Sequence, residues 1–359
     1  MMNQYSIGSI RVVRVKSKVA LVKGGTRTEN IQKALQLIEA DIRLDVKSSV
    51  FIKVNFVSTT KQLAATHVDA VRALLQFLRE RYRGKITIGE STSVPAREGY
   101  TRFGYQDLVE EFGVKLVDLN AGQWVPVQVY DSTLQPINVR FSKLVAQSDF
   151  RIAIGPPKTH DVVIVTASIK NMAMGSLYYR VKVGTSGSLR NLAKRAYGLM
   201  PSFLRRSARV SQMRNIASIQ MGGDKRKIHQ GYAVHNLNLY CLAKAFPPHL
   251  SIIDGYLGMD GDGPEVGDRV EWGVAIAGLD PVAADCLATQ LMGFNVSDIG
   301  YLWYCYRKGL GAGETNQMEI VGAEPNDCYR RFGPPPTFEA EKGWRDSRVN
   351  ALLEIAPNP

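Results

Sequence analysis

The sequence predicts an α/β fold, with a mostly parallel, twisted sheet flanked by helices and a basic helical insertion. Three observations predict it. Short apolar runs bounded by turn residues alternate with stretches of helical periodicity along most of the 359 residues. The alternation stops once, between residues 176 and 231, where the composition turns basic. Finally, 45% apolar and 22% charged residues are typical of a globular chain that buries a sizeable core.

Seven apolar runs predict strands and six periodic stretches predict helices. The predicted strands are Val19–Val22, Ser49–Val54, Lys85–Gly89, Val114–Leu119, Phe150–Ile154, Leu250–Asp254 and Trp272–Ala277. The predicted helices are Thr28–Ile42, His67–Glu80, Tyr105–Phe112, Ala233–Ala245, Pro281–Met292 and Val296–Lys308. Apolar residues recur every three or four positions through the second helix, which gives it one buried face. We expect Thr66 to cap this helix, because Asp69 follows three residues later.

We divide the chain into three regions. Residues 1–47 form an N-terminal strand and helix of the same fold, residues 48–311 form the main α/β domain, and residues 312–359 form a proline-rich surface tail. The main domain contains the basic insertion, residues 176–231, which we expect to lie over the rim of the sheet. Within it, Leu189–Leu199 and Ser202–Ile216 predict two basic amphipathic helices.

The positive charge is concentrated in one segment. Residues 178–231 contain twelve Lys and Arg against one acid, so they hold eleven of the twelve net positive charges. Such a local field favours an anionic partner, which is either a small molecule or a nucleic acid bound through this segment. Four aromatic side chains there are available to stack on bases: Tyr178, Tyr179, Tyr197 and Phe203. No recognised nucleic-acid motif accompanies them, and an anionic membrane surface would attract the same helices.

Features that are absent from the sequence predict its cellular compartment and its cofactors. No apolar run approaches the ~20 residues that span a bilayer, and the polar N-terminus lacks a secretory signal, so we expect a cytoplasmic protein. The four cysteines are widely separated and form no CxxC pair: Cys241, Cys286, Cys305 and Cys328. We therefore expect reduced thiols and no iron–sulfur cluster on this chain.

The segment from residue 156 to 171 holds the strongest candidate site. Lys158, His160, Thr166, Lys170 and Asn171 follow closely on the strand predicted before them. In an open α/β sheet, ligands bind at the carboxyl ends of the strands. A lysine near other cations has a lowered pKa and histidine titrates near neutrality, so Lys158, His160 and Lys170 are candidate catalytic residues. An isolated Lys-Thr-His sequence would be an exposed polar stretch without a function. The five polar residues of this segment together favour a functional site.

Other predicted strands also end in polar side chains. Lys53 and Asn55 share one face of their strand, and Glu90 ends the next one. A snorkelling lysine and turn-forming residues are the alternative interpretation. We assign substrate binding to these three residues with Thr166 and Asn171, and to Arg180 and Lys227 of the basic segment. His229, which follows Lys227, is a further candidate catalytic residue.

Acidic residues downstream complete the candidate site. Asp260 and Asp262 lie in a glycine-rich loop after a strand that ends at Asp254, which we expect to approach the same rim. Asp285 lies one turn into the helix that Asp280 caps. Asp260, Asp262 and Asp285 either bind a divalent metal or orient the lysines. The loop is not an EF-hand, and a tight turn remains the alternative.

Several common catalytic motifs are absent from the sequence. It contains no Walker A sequence, no GxGxxG after the first strand, no HExxH and no GxSxG. Hydrolysis by a P-loop, a standard NAD site and α/β-hydrolase chemistry are therefore disfavoured.

Several of the polar motifs described above occur in the order found in a known protein family. Lys53-Val-Asn55, Gly155–His160, Lys170-Asn171, Lys227–His229 and Gly278–Asp285 resemble the bacterial and archaeal family known as domain of unknown function 362, over about residues 48–311. Some members carry ferredoxin-type cysteine clusters, which implies redox work, but this chain has none. The family's usual Lys-Pro-Asn is Lys53-Val-Asn55 here, and the insertion is larger than usual. A fainter similarity connects these strand-end residues with nickel-pincer lactate racemases.

The sequence thus favours an enzyme that uses acid–base or electrostatic catalysis on a small anionic substrate, a carboxylate or a phosphate. Isomerisation, elimination and ligation suit these side chains better than hydrolysis, because no nucleophilic Ser or Cys is marked out. Two alternatives remain open. One is a nucleic-acid-binding protein that uses residues 178–231, and the other is a redox protein that works with an iron–sulfur partner.

Overall fold

The computed structural model describes residues 16–44, 48–179 and 223–355. The strands are β1 Ser17–Lys23, β2 Val50–Lys53, β3 Ile86–Glu90, β4 Lys115–Asp118, β5 Trp124–Tyr130, β6 Pro136–Ser142, β7 Phe150–Gly155, β8 Lys158–His160, β9 Ile164–Thr166, β10 Leu250–Asp260, β11 Asp268–Gly278 and β12 Met318–Gly322. The helices are α1 Arg27–Leu37, α2 Val68–Arg81, α3 Ala96–Arg102, α4 Gln106–Phe112, α5 Lys143–Ala146, α6 Ser168–Gly175, α7 Lys225–Ile228, α8 Tyr232–Ala245, α9 Pro281–Leu291, α10 Gly300–Arg307, α11 Pro325–Cys328, α12 Phe338–Glu341 and α13 Ser347–Leu352.

The predicted α/β class is confirmed. Eight strands form the path of the main sheet in the order β12-β1-β11-β10-β7-β2-β3-β4, and β8 and β9 extend it to ten. Pairing is parallel from β10 through β4 and between β12 and β1, whereas β11 runs antiparallel to both of its neighbours. The sheet is therefore mixed but mostly parallel.

Both faces of the sheet are covered by helices. One core packs the side chains of α1 and α2 against Ile52, Ile154 and Ile252. The other packs α6, α8 and α9 against Ala153 and Ile253. Neighbouring residues of one strand enter opposite cores, as the period of two in a strand requires.

The order of the strands changes direction once within the parallel part of the sheet. From β2 the chain proceeds to β3 and β4 on one side, whereas β7 and β10 lie on the other side of β2. The chain direction across the sheet therefore reverses between β2 and β7. Ligands of open α/β sheets bind outside the carboxyl ends of the strands at such a reversal. Here those ends are Lys53 and Gly155.

All seven predicted strands and six predicted helices are present, but one predicted cap is wrong. His67 occupies the position before α2, and its Nδ1 accepts from the Asp69 N–H at 3.2 Å. The Thr66 hydroxyl instead accepts from the Asn55 N–H at 2.8 Å and donates to the Ile154 carbonyl at 3.0 Å. Thr66 thus connects the ends of β2 and β7 rather than capping a helix.

The C-terminal region is built into the fold more deeply than a surface tail. Strand β12 pairs in parallel with β1 at the edge of the main sheet. Further along, the Trp344 side chain is 1% exposed and its ring packs 5.4 Å from that of Trp303 and 5.1 Å from that of Tyr304. The two helices predicted within the insertion lie outside the described residues. Among the helices in the described ranges, none combines the length and apolarity needed to cross a membrane.

Candidate functional site

Two groups of polar side chains lie at and beyond the carboxyl ends of β2, β3 and β7. The strand-end cluster consists of Lys53, Asn55, Glu90, Lys158 and Asn171. The histidine cluster consists of His160, Asp161, Lys170, His229 and His235. The charge of Lys170 acts on Lys158, which connects the two groups electrostatically.

Lys53 and Glu90 form a buried ion pair. The Lys53 Nζ lies 2.8 Å from Glu90 Oε1, and both side chains are almost fully buried. Glu90 also accepts from the N–H groups of Phe56 at 2.8 Å and Ser91 at 2.7 Å. Burial lowers the pKa of Lys53, although the Glu90 charge opposes the shift. A Cβ at Gly175 would collide with the end of the Lys53 side chain, so a larger residue there would displace this lysine from its position beside Glu90.

Asn171 joins β2 and β7, the two strands between which the chain direction reverses. Its Nδ2 donates to the carbonyls of Lys53 and Ile154, both at 3.3 Å. Its Oδ1 accepts from the Lys53 Nζ at 3.2 Å and from the Asn55 Nδ2 at 3.4 Å. Because both ends of the carboxamide are used by the protein, Asn171 serves here to fix the geometry of the strand ends.

Lys158 is fully buried beside an unsatisfied hydroxyl. Its Nζ donates to Asn55 Oδ1. Burial, and secondly the charge of Lys170, lower the pKa of Lys158 to about 7. Thr166 is its cross-strand partner in the β8–β9 pairing, and within the described residues the buried Thr166 hydroxyl has no hydrogen-bond partner. An amine and a free hydroxyl side by side are suited to an anionic oxygen.

His160 and Lys170 form a buried nitrogen–nitrogen contact. The His160 Nε2 lies 2.7 Å from the Lys170 Nζ, and the His160 Nδ1 lies 3.2 Å from Asp161 Oδ1. Burial lowers the pKa of Lys170 to about 7, and burial together with the Lys170 charge lowers that of His160 to about 3. The imidazole is therefore neutral at pH 7, while the amine is close to its titration midpoint. Such a pair can accept and return a proton.

Two further histidines have a defined tautomer. The His229 Nδ1 lies 2.6 Å from the Lys225 carbonyl, and the His235 Nδ1 lies 3.0 Å from the Ile228 carbonyl. Since a carbonyl only accepts, each Nδ1 carries the hydrogen and each Nε2 presents a lone pair. Burial lowers the pKa of His229 to about 4 and that of His235 well below its usual value. The two rings lie 4.2 Å apart, and the His235 Nε2 has no partner in the described parts of the chain.

Sequence reasoning missed Lys225, which belongs to this site. Its Nζ donates to the Ser91 carbonyl at 2.8 Å and lies 5.1 Å from the centre of the Tyr179 ring. Burial lowers its pKa to about 8. The predicted Lys227 instead is half exposed, and its Nζ lies 3.3 Å from Asp224 and donates to the Asn138 carbonyl at 3.2 Å. A signal was available, because Lys225 precedes His229 by four residues and so shares its face of a helical turn.

Glu341 was also missed, and it holds the turn between β8 and β9. Its carboxyl group bonds the N–H of Ile164 and the hydroxyl of Thr337. Ile164 has a φ of 63°, a left-handed conformation that a β-branched residue rarely adopts. Burial raises the pKa of Glu341 to about 8. Glu341 therefore supports the turn that places His160 opposite Ile164 and Lys158 opposite Thr166.

The three aspartates predicted to bind metal do not share a site. Among the described residues, no three His, Cys, Asp or Glu side chains are grouped so that they could hold a metal ion. Asp260 accepts from the Gly333 N–H at 2.7 Å, at the start of the C-terminal region. Asp285 binds the first turn of α6, with Oδ1 3.0 Å from the Ser168 nitrogen and Oδ2 2.9 Å from the Ile169 nitrogen. Asp262 is buried within its loop.

We expect Asp285→Asn to lower the free energy of unfolding by about 2 kcal/mol, because the variant replaces a buried anionic acceptor of hydrogen bonds with a group that also donates. Burial raises the pKa of Asp285 to about 6, so the carboxyl is ionised at pH 7.5. Urea denaturation at that pH measures the change. The control is Asp107→Asn in the exposed first turn of α4. Equal midpoints for the two variants would contradict the role of Asp285 in holding α6.

Other predicted contacts lie elsewhere. Asp254, which ends the strand predicted to approach the rim, pairs with Arg27 at the start of α1, at 3.0 Å. Tyr178 packs 5.3 Å from the Trp124 ring and beneath the guanidinium of Arg140, at 3.9 Å, while Tyr179 is buried. Tyr179 is therefore not open to a base, whereas Tyr178 is partly exposed. Most of the basic segment, Arg180 included, lies outside the described residues, and nucleic-acid binding through it stays a prediction.

Comparisons with known proteins place the chain in a family. A family model described as "Domain of unknown function (DUF362)" matches residues 50–290, which confirms the predicted resemblance. The thylakoid-associated protein sll1697 of Synechocystis sp. is 24% identical over 247 residues, or 68% of this chain and 62% of that protein. The chain thus spans less than two thirds of that relative's length.

Two solved structures show a distant likeness. The lactate racemase apoprotein from Thermoanaerobacterium thermosaccharolyticum has 14% sequence identity and a TM-score of 0.42, over 80% of this chain and 58% of that one. A protein from Thermotoga maritima has 13% identity and a TM-score of 0.39, over 70% of this chain and 56% of that one.

Proposed function

This chain belongs to the family named domain of unknown function 362, and we propose that it is an enzyme that uses acid–base and electrostatic catalysis on a small anionic substrate. The reaction takes place at the carboxyl ends of β2, β3 and β7. One observation carries the proposal, namely the buried contact of 2.7 Å between His160 Nε2 and Lys170 Nζ, with Lys158 nearby. Groups whose pKa is moved towards neutrality by burial and by charged neighbours are typical of catalytic sites.

The side chains divide into three roles. Lys158 and Thr166 bind an anionic oxygen of the substrate, because one is a donor and the other has an unused hydroxyl. Lys170 with His160 moves the proton, and the ammonium form of either lysine stabilises negative charge that develops during the reaction. Lys53 and Asn171 hold the strand ends in place.

The reaction class is a proton transfer rather than acyl transfer through a thiol. Burial raises the pKa of Cys241 to about 12 and that of Cys286 well above its usual value, so these thiols stay protonated. Isomerisation or elimination next to a carboxylate or phosphate requires a base, an acid and stabilisation of an anion, and the two clusters supply all three.

The test is solvent exchange, which detects proton transfer without knowledge of the product. The protein is incubated in D₂O at pH 7.5 with a panel of small carboxylates and phosphate esters, and loss of C–H signals is followed by NMR. We expect deuterium to enter at least one compound with wild-type protein and not with His160→Gln or Lys170→Met. Lys244→Met, exposed on α8, is the matched control. Exchange that persists undiminished in both site variants, or no exchange in any compound, would overturn the proposal.

A further inference from the structure

Three lysines of the site have no acidic partner. The Nζ of Lys158 bonds Asn55, that of Lys170 contacts His160, and that of Lys225 donates to the Ser91 carbonyl. Within the described ranges none of the three forms an ion pair with Asp or Glu, whereas Lys53 has Glu90. An ammonium group removed from water without a counter-charge is costly, and burial therefore lowers the pKa of all three lysines. An anion bound beside them would stabilise their charged forms.

The basic insertion does not contain an acidic residue that could supply that anion. Residues 180–222 contain nine Lys and Arg and no Asp or Glu. Whatever position this segment takes, it adds positive charge. The missing negative charge is therefore not to be found in the basic insertion.

When all three amines are protonated, nearby carboxyl groups leave an excess of two positive charges. The charge of Glu90 also acts on Lys158 and Lys225, but the Lys53 ammonium balances it. Asp161, beside His160, supplies one negative charge at most against the three ammonium groups. Glu341 also acts on Lys170, but burial raises the pKa of this carboxyl to about 8, so it carries little charge at neutral pH. The imidazoles of His160, His229 and His235 are neutral there because burial lowers the pKa of each.

The three lysines also occupy different elements. Lys158 begins β8, Lys170 lies on α6, and Lys225 begins α7. The charge of Lys170 lowers the pKa of Lys158, and the charge of Lys225 lowers that of Lys170, so Lys170 lies within range of both. The unsatisfied Thr166 hydroxyl belongs to the end of this lysine group at Lys158. The other end is Lys225, which bonds Ser91 directly after β3. A single carboxylate at Lys158 would leave the positive charge at Lys225 unmatched.

We propose that the substrate of this enzyme is a dianion, either a dicarboxylate or a phosphate monoester, that is held by Lys158, Lys170 and Lys225 together. This inference rests on the proposed function, since it concerns the same site. Two negative charges match the excess left after Asp161, and in a buried site each charge–charge contact is stronger than in water. The Thr166 hydroxyl provides one further bond to an anionic oxygen.

The test compares probes that differ by one negative charge. Isothermal titration at pH 7.0 measures the binding of succinate against butyrate and of glycerol 3-phosphate against glycerate. We expect the dianion of at least one pair to bind tenfold or more tightly than its monoanion, and the pair that responds distinguishes a dicarboxylate from a phosphate ester. Lys225→Met should remove most of that preference, while Lys244→Met should keep it. Equal or absent binding of both members in both pairs would overturn the proposal.

A second readout needs no variant. At pH 8, a dianion that contacts amines with a pKa near 7 must raise that pKa, so binding should take up protons. Titrations in two buffers with different ionisation enthalpies measure this uptake. Dianion binding without uptake would contradict contact with the lysines. Binding of the dianion without deuterium exchange would retain the dianion as the ligand and overturn the enzymatic function. Deuterium exchange in monoanions alone would retain the enzymatic function and overturn the dianion as the substrate.

Discussion

Replacing Lys170 by methionine will slow deuterium exchange into the substrate about a hundredfold or more. The Lys170 Nζ is 2.7 Å from the His160 Nε2, and a positioned general acid or base accelerates a reaction by roughly 10²–10⁴. If Lys170 acts as the neutral amine, the wild-type rate rises through about pH 7, where this amine loses its proton. NMR rates from pH 6 to 9 measure both effects. A variant that keeps the wild-type rate and the same inflection would contradict this role.

The same variant has a consequence for stability that does not depend on activity. Between about pH 7 and the ordinary lysine pKa of 10.5, unfolded protein binds a proton at Lys170 that folded protein does not. Since the unfolded state binds more protons there, the contribution of this residue raises the free energy of unfolding as pH rises, by up to about 1.4 kcal/mol per pH unit. Urea denaturation at pH 7 and pH 9 should show a smaller increase for Lys170→Met than for wild type.

The second large effect concerns Glu90. We expect Glu90→Gln to lower the free energy of unfolding by about 3–5 kcal/mol at pH 7, because it leaves the Lys53 ammonium buried without a counter-charge. Urea denaturation is the measurement. Adding Lys53→Met to this variant should recover part of the loss, since the uncompensated charge is then removed as well.

The matched control for Glu90 is an ion pair on the surface. Glu39 lies 2.6 Å from Arg81, but both side chains are substantially exposed, so Glu39→Gln should change stability little. A loss in Glu90→Gln no larger than in Glu39→Gln would show that burial of the Lys53 pair is unimportant for stability.

The sequence predicted the elements whose signal is local. Strands β2 and β7 are apolar runs that end in turn residues, and parallel strands bring their carboxyl ends together, so the meeting of Lys53 with Asn171 followed from the predicted topology. The short strands β8 and β9 were missed. Each has three residues, and the Lys-Thr-His sequence of β8 has no apolar pattern. Their pairing depends on the left-handed conformation of Ile164.

Long-range contacts explain the site residues that sequence reasoning missed or misplaced. Glu341 bonds the backbone of Ile164 across 177 residues, and no local pattern indicates such a contact. Asp285 was predicted near the lysines, yet its carboxyl is occupied by the first turn of α6. Lys225 differs from Glu341 and Asp285, because its spacing of four residues from His229 was visible in the sequence. Lys227 was predicted to bind substrate in its place.

The bond between Glu341 and Ile164 sets the time at which the site is completed during synthesis. The ribosome makes the N-terminal strands first, and every lysine and histidine of the two clusters has emerged before residue 341 is added. Until then the turn between β8 and β9 lacks the carboxyl group that holds it. A nascent or truncated chain that stops after α10 would therefore contain all the groups assigned to catalysis without the contact that fixes His160 opposite Ile164.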